Sequence, residues 1–322
     1  MIELEQGGGG FKNNQLIKEL RQIINFKKDW TNLDDDSAVY DLGTQKLVFT
    51  TDAFIIDPIF FPGGDIGKIA ACGTINDLAV MGAQPIGLSL SLVIEEGFSK
   101  DNLLKIAQSI NQVSQETQIP IVTGDTKVID KAKLDKIEIT TAGIGLADTI
   151  INNNGCQPGD NIIVSGDLGE HGLTLLAHRF DYQTQITSDC QPLVNEISLV
   201  KKYLTSCKDP TRGGLAANLN EIADKSQVKI IINENQLPYK KEVVALTELL
   251  GLDIFNLPSE GRFIASVKPQ DTDFVLSKLK KFNPQAKIIG QATTGQGLFL
   301  KTKIGTERKI DMPRGKLIPR IC

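Results

Sequence analysis

The chain has 322 residues, 41% hydrophobic and 23% charged, enough for two ordinary domains with separate cores. Its formal charge of −4 argues against general binding to nucleic acid or to an anionic membrane. No apolar run approaches the roughly 20 residues of a membrane helix, and Glu3 and Glu5 ahead of four glycines are unlike a signal peptide, so a cytoplasmic protein is expected.

Strand and helix patterns alternate through the first half. Residues 47–55 are rich in β-formers, and 67–83 place apolar groups at helical spacing, with Gly82 suited to the C-terminal cap. Residues 86–94 alternate Leu88, Leu90 and Leu92 with small or polar groups, as a half-buried strand does. A helix is expected over 100–117 and strands over 119–123 and 137–147. The alternating charges of 127–136 read as a solvated hairpin. Asn, Gly and Pro crowd 152–160, the best boundary in the chain, giving expected domains of 1–156 and 157–309. The second half reads as strands near 161–166, 228–232, 262–267 and 297–302. Helices are expected near 172–180, 192–206, 214–225, 240–250 and 271–281. Two prolines and a glycine beyond Met312 forbid regular structure, so 310–322 reads as a mobile strap. The expected fold is α/β, with two domains and a tail.

Five cysteines, Cys72, Cys156, Cys190, Cys207 and Cys322, lie far apart with no C-x-x-C pair, against both a disulfide framework and a cysteine-built zinc site. His171 and His178 have no partner at metal spacing. Cys322 is the last residue, where a thiol is open to oxidation and a neighbouring carboxylate should raise its pKa.

The aspartates carry more. Asp35 and Asp36 lie in "DDDSAV", Asp52 in "TTDAF", Asp77 in "TINDLA" and Asp125 in "VTGDTK". Each alone reads as a turn or cap aspartate. Together, with Asp77 inside a helix where Asp is a poor former, they favour a hard cation such as Mg²⁺ bridging nucleotide phosphates. "GGDIGKI" lacks the spacing and hydroxyl of a P-loop, and "GIGLAD" lacks the third glycine of a dinucleotide fingerprint. Two phosphate-binding stretches remain open: "QGGGGF" (6–11) and "DPTRGG" (209–214), the latter opening a helix.

"TTDAFIIDPIFFPGGDIGKIAACGTINDLAVMGAQP", "VTGDTKV", "GEHG", "DPTRGGLAANLNEIA", "LPSEGRF" and the terminal "PRIC" resemble the HypE hydrogenase-maturation factors of the PurM-like superfamily, over essentially the whole chain. The chain departs from that pattern at Gln6, Glu170 and Ser259. The resemblance implies a two-domain PurM-like α/β (α+β) fold with a flexible tail, and a homodimer through the N-terminal domains. It also implies ATP-dependent dehydration of a carbamoyl group on Cys322 to a thiocyanate, which supplies cyanide to the iron of [NiFe]-hydrogenase. A HypF-type carbamoyltransferase would load the tail and a HypC–HypD complex would receive the cyanide. Asp35, Asp36, Asp52, Asp77 and Asp125 would hold Mg²⁺–ATP, with Asn76, Thr126 and Arg212 beside them. Direct metal ligands would be Asp36, Asp52, Asp77 and Asp125. Glu260 would be the base, Lys127 a phosphate clamp or proton acceptor, His171 a tail or phosphate contact, and Arg320 a counter-charge for the terminal carboxylate. Two alternatives stand beside this: another ATP-dependent enzyme of the superfamily, such as a small-molecule kinase or selenophosphate synthetase, and a non-enzymatic ATP-binding scaffold presenting Cys322.

Overall fold

The computed structural model describes residues 1–314 and 320–322. The first half comprises α1 (Gly10–Ile23), β1 (Trp30–Thr31), β2 (Ala38–Asp41), β3 (Lys46–Phe54), β4 (Phe60–Phe61), β5 (Gly64–Asp65), α2 (Ile66–Val80), β6 (Gln84–Glu95), α3 (Lys100–Thr117), β7 (Ile121–Ile129) and β8 (Ile137–Ala147). The second comprises β9 (Asn161–Val164), α4 (Glu170–Arg179), α5 (Val194–Val200), β10 (Leu204–Lys208), α6 (Gly214–Ser226), β11 (Lys229–Asn233) and α7 (Lys241–Leu249). It continues with β12 (Ile264–Val267), α8 (Pro269–Leu279), β13 (Lys287–Thr293), β14 (Gly297–Lys301) and β15 (Glu307–Ile310).

Each half builds its own sheet. The first has strand order β1-β2-β3-β8-β6-β7, the second β10-β12-β9-β13-β11-β14-β15. β8 alternates buried and half-buried residues along its whole length, the signature of a central strand with one face on the core. α2 is apolar on nearly every side because it is enclosed, packing on β3, β8 and β6 and against α3 and α5. Asp65 starts it, accepting from the N–H groups of Gly67 and Lys68 at 2.8 and 3.0 Å. One continuous core runs from α2 and α3 through α5 and β12 to Ile321, so the halves and the tail share buried surface.

Several expectations change. β7 continues to Ile129, which puts Asp125 and Lys127 within a strand. It pairs in parallel with β6, whose other edge holds β8, so 130–136 crosses over β6 and is no hairpin. The helix expected over 192–206 stops at Val200. After a 3₁₀ turn the chain becomes β10, whose residues pair with β12. α1, β1, β2, β4, β5, β13 and β15 were not anticipated; α1 is largely exposed and β1, β2, β4 and β5 are short, so neither core periodicity nor length marks those five. The mobile strap falls in part on 315–319, outside the described residues, whereas Arg320–Cys322 is held. No helix among the described residues is long and apolar enough to cross a membrane.

Candidate active site

Among the described residues, Asp36, Asp77 and Asp209 bring carboxylate oxygens within 4.8 Å of one another. Asp36 follows the turn before β2, Asp77 lies on α2, and Asp209 follows β10, so both halves contribute. Asp36 accepts from Lys208 Nζ at 2.5 Å and Asn153 Nδ2 at 3.2 Å, and Asp77 from Thr50 Oγ1 at 2.8 Å. Burial, reinforced by Asp52, Asp209 and Asp36, pushes the Asp77 carboxyl well above its ordinary range. Burial and Asp36 push Asp209 up to about 7, against the pull of Lys208. Asp52 is also raised by burial, with Arg212 opposing. Crowded carboxylates that repel one another this strongly, one buried and two half-buried, form an all-oxygen donor set suited to a hard divalent cation. The residues fit Mg²⁺.

The two glycine-rich stretches meet beside this cluster. Gly9 has φ +81°, and a Cβ there would lie 2.8 Å from Arg212 Cβ, so only glycine lets the chain pass so close. Arg212 in turn faces the side chains of Cys322, Asp52, Asp77 and Glu260, acidic groups that together raise its pKa.

The tail is docked at the same place. The N–H groups of Ile55 and Asp57 donate to a main-chain carboxylate oxygen of Cys322 and to the carbonyl of Arg320, each at 3.2 Å, in an antiparallel pattern just after β3. Ile321 between them is buried at 4% exposure. His171 Nε2 lies 2.7 Å from the Ile321 carbonyl, and its Nδ1 lies 2.7 Å from Ser188 Oγ. A carbonyl only accepts, so Nε2 carries the proton and Nδ1 accepts from the serine hydroxyl. Burial lowers the His171 pKa to about 4, keeping the ring neutral. Arg179 donates to the carbonyls of Asp57 and Arg320. Cys322 itself is half-buried, and desolvation pushes its thiol up to about 12 despite Arg212.

Glu260 completes the group. Its side chain is buried at 2% exposure, and Oε1 has no hydrogen-bond partner among the described residues. Burial raises its pKa well above the usual carboxylate range, with Cys190, Asp209 and Asp189 adding and Arg212 opposing. A buried carboxyl that can take up a proton thus faces the cation beside the tail sulfur.

Residues 34–147 match the AIR synthase related protein N-terminal domain and 157–303 the corresponding C-terminal domain. A hydrogenase expression/formation protein of Methanocaldococcus jannaschii is 44% identical over 98% of both chains. Carbamoyl dehydratase HypE of Rhizobium leguminosarum is 39% identical over all of this chain and 95% of its own. This chain belongs to the HypE family. A solved HypE–HypF complex superimposes with a TM-score of 0.86 at 36% identity, covering 92% of this chain and 99% of that one. A HypE in complex with ATP gives 0.84 at 34% identity over the whole of both.

Measured against a HypE reading, the anticipated residues divide. Asp52, Arg212, His171 and Glu260 gather around Cys322 and the tail, and Asp36 and Asp77 lie in the acidic cluster beside them. Asp35 turns away, paired with Lys225 at 2.7 Å and Asn32 at 2.8 Å. Asn76 does not face the cluster either, since its amide is spent on backbone groups of the second half. Asp125, Thr126 and Lys127 lie on the exposed strand β7. There Lys127 Nζ pairs with Asp125 at 3.0 Å and the Thr126 N–H donates to Asp125 at 2.8 Å. The structure does not bring these three to the cluster within one chain. Arg320 pairs with Asp135 at 2.6 Å, so the cation at the sulfur is Arg212 instead. Asp209, Lys208 and Arg179 were missed. Asp209 opened the quoted "DPTRGG" stretch, which read as a phosphate-binding turn and not as a metal ligand, and nothing local marks a lysine or arginine destined for burial.

The departures have local uses. The Gln6 side chain accepts from the Glu3 N–H at 2.8 Å, Ser259 Oγ accepts from the Gly169 N–H at 2.8 Å, and Glu170 pairs with Lys240 at 2.5 Å and Arg262 at 3.4 Å.

Proposed function

We propose that this chain is an ATP-dependent carbamoyl dehydratase acting on a carbamoyl group carried by its own Cys322. The product is a thiocyanate whose cyanide serves hydrogenase maturation. The observation that carries this reading is the seating of the Cys322 sulfur beside Arg212 and the unpartnered Glu260, next to the acidic cluster. ATP, bound by a solved relative, would lie against Arg212 and the aspartates. Asp36, Asp77 and Asp209, with Asp52 adjacent, would hold Mg²⁺, which supplies charge neutralisation at the phosphates.

The balance of the reaction fixes what the protein must do. The thiocarboxamide oxygen takes the terminal phosphoryl group of ATP and leaves as phosphate, and the nitrogen gives up both protons to become a nitrile, one to a base of the protein and one departing with the phosphate. Phosphorylation turns a poor leaving group into a good one. Glu260 accepts a proton from the nitrogen, and Arg212 offsets negative charge developing on the phosphorylated oxygen. His171 and Arg179 grip the tail by the carbonyls of Ile321 and Arg320, leaving the sulfur substituent free to react.

The docked thiol, with its pKa up at about 12, is protonated near neutrality and a poor nucleophile. Loading would therefore take place with the tail withdrawn, where water restores ordinary acidity. A HypF-type carbamoyltransferase is the proposed donor, consistent with the HypE–HypF complex solved for a relative, and a HypC–HypD complex the proposed acceptor. All five cysteines are unpaired, which suits a reducing cytoplasm.

A second copy supplies what one chain lacks. β7 presents Val122 and Val128 at 61% and 67% exposure beside a hollow of 430 Å³ lined by Leu90, Leu92 and Asp125. An apolar sheet edge of this kind calls for a cover. A homodimer through the first sheet would bury it and carry Asp125 and Lys127 toward the partner's nucleotide.

The test is the mass of the C-terminal peptide. After incubation with a carbamoyltransferase and carbamoyl phosphate it should gain one carbamoyl group, and with ATP it should then lose one water. Cys322→Ala should do neither while still binding ATP. Modification at Cys72, Cys156, Cys190 or Cys207, or an unchanged tail, would overturn the reading.

A further inference from the structure

We infer that Asn76 is a positioning residue that holds the base Glu260 in register with the nucleotide half, and is not a nucleotide ligand. This rests on the reading of Glu260 just given. Asn76 and Asp77 are consecutive on α2, so their side chains point about 100° apart around the helix. Asp77 turns its carboxylate into the acidic cluster. Asn76 reaches the other way, across to the second half. Its amide nitrogen donates to the carbonyls of Gln191 at 3.1 Å and Glu260 at 3.2 Å, and its oxygen accepts from the Leu193 N–H at 2.8 Å. Both donor hydrogens are used, and the side chain has 0% exposure. No donor is left to offer a nucleotide, and the buried amide oxygen is already engaged.

The opposite side of the Glu260 peptide is held as firmly. Asp189 Oδ1 accepts from the Glu260 N–H at 3.0 Å, and the Ser259 N–H donates to the Pro210 carbonyl at 2.9 Å. A Cβ on Gly261 would come within 1.9 Å of the Asp189 carbonyl oxygen, so no larger residue permits this path. Glu260 is thus pinned at its N–H by the second half and at its C=O by the first, while its Oε1 has no partner among the described residues. A flexible carboxylate is aimed by its backbone. The Asn76–Asp77 step fixes the spacing between the base and the cluster, because one helical turn carries both attachments.

The experiment is a double-mutant cycle on the full-length carbamoylated protein. It measures single-turnover thiocyanate formation, ATP affinity and thermal stability for Asn76→Asp, Glu260→Gln and the pair. Asp keeps the size and the acceptor of Asn76 but loses both donors. Asn76→Ala, which adds no buried charge, decides the matter if Asn76→Asp does not fold. We expect Asn76→Asp to slow dehydration about 10- to 100-fold, the effect of a misplaced group, with ATP affinity unchanged. In the Glu260→Gln background the same change should cost no further rate, because the group it aims is already gone. Losses that multiply in the double variant, a wild-type rate in Asn76→Asp, or a matching fall in ATP affinity would each overturn the inference. If Glu260→Gln alone dehydrates at the wild-type rate, the base assignment itself falls, an outcome distinct from the other three.

Discussion

β3 and β7 carry aspartates in similar wording, "TTDAF" and "VTGDTK", yet the fold gives them opposite surroundings. β3 is paired on both edges, by β2 and β8, and Asp52 beside α2 is raised by burial. β7 is the last strand of the sheet, and Asp125 is lowered by the exposed Lys127 two residues on. The inner set comes together with Arg212 within one chain. The exposed set is an ordinary surface ion pair until something covers it. Sequence type proposes an aspartate for a site, and the neighbouring strand decides whether it arrives there.

The largest change should come from removing the base on the buried side. Glu260→Gln should bind ATP and accept the carbamoyl group, yet dehydrate it slower by on the order of 10²–10⁴. A wild-type rate of thiocyanate formation would take Glu260 out of the mechanism. Next in size is Asp209→Asn. It exchanges a charged metal ligand for a neutral one beside Lys208 and should weaken Mg²⁺–ATP by roughly 10- to 100-fold, the usual worth of a charged hydrogen-bonding group. Calorimetric titration at matched Mg²⁺ would check this, and an unchanged affinity would leave the cluster as Asp36, Asp52 and Asp77 alone.

Much of this was legible in the chain. The alternation of β3, α2, β6, α3 and β8 followed from periodicity, and turn chemistry and family motifs singled out Asp36, Asp52, Asp77, Arg212, Glu260 and Cys322 as candidates for one site. What was not legible shares one physical character: it depends on distant partners. Residues 204–208 became a strand because β12 lies beside them. Asn76 became a clasp because loops more than a hundred residues away present carbonyls to it. Asp209 joined the cluster because the second half folds against the first. No window along the chain contains those neighbours.

The exposed side of the comparison can be tested by mixing. Lys127→Ala should lose about 10-fold in dehydration, toward the low end for a lost acid–base or clamping group. Subunits carrying Lys127→Ala, exchanged with subunits carrying Cys322→Ala, would form mixed dimers in which one site has an intact lysine and an intact tail. Activity above that of either variant alone is expected. If the mixture shows only the sum of its parts, each chain completes its own site and β7 is plain surface.

The smallest effect sharpens what burial alone does. Glu196 on α5 is 3% exposed, its Oε1 has no partner among the described residues, and burial pushes its pKa up to about 8, with Arg262 opposing. It takes no part in the proposed reaction. Below its ordinary value of 4.5 both the folded and unfolded chains hold the proton, and this group leaves stability unaffected by pH. Between 4.5 and about 8 only the folded chain holds it, so stability falls as pH rises across that window and the loss is complete above it. Glu196→Gln removes the titration while keeping the shape. Its melting temperature, compared with the parent, should rise between pH 5 and pH 8 by a few degrees, with dehydration unchanged. A difference that stays flat with pH would mean that Glu196 is ionised in place and satisfied by Arg262. In that case burial without a nearby like charge would not suffice to hold a carboxyl neutral here, and the raised pKa of Glu260 would owe more to Asp209 and Asp189 than to desolvation.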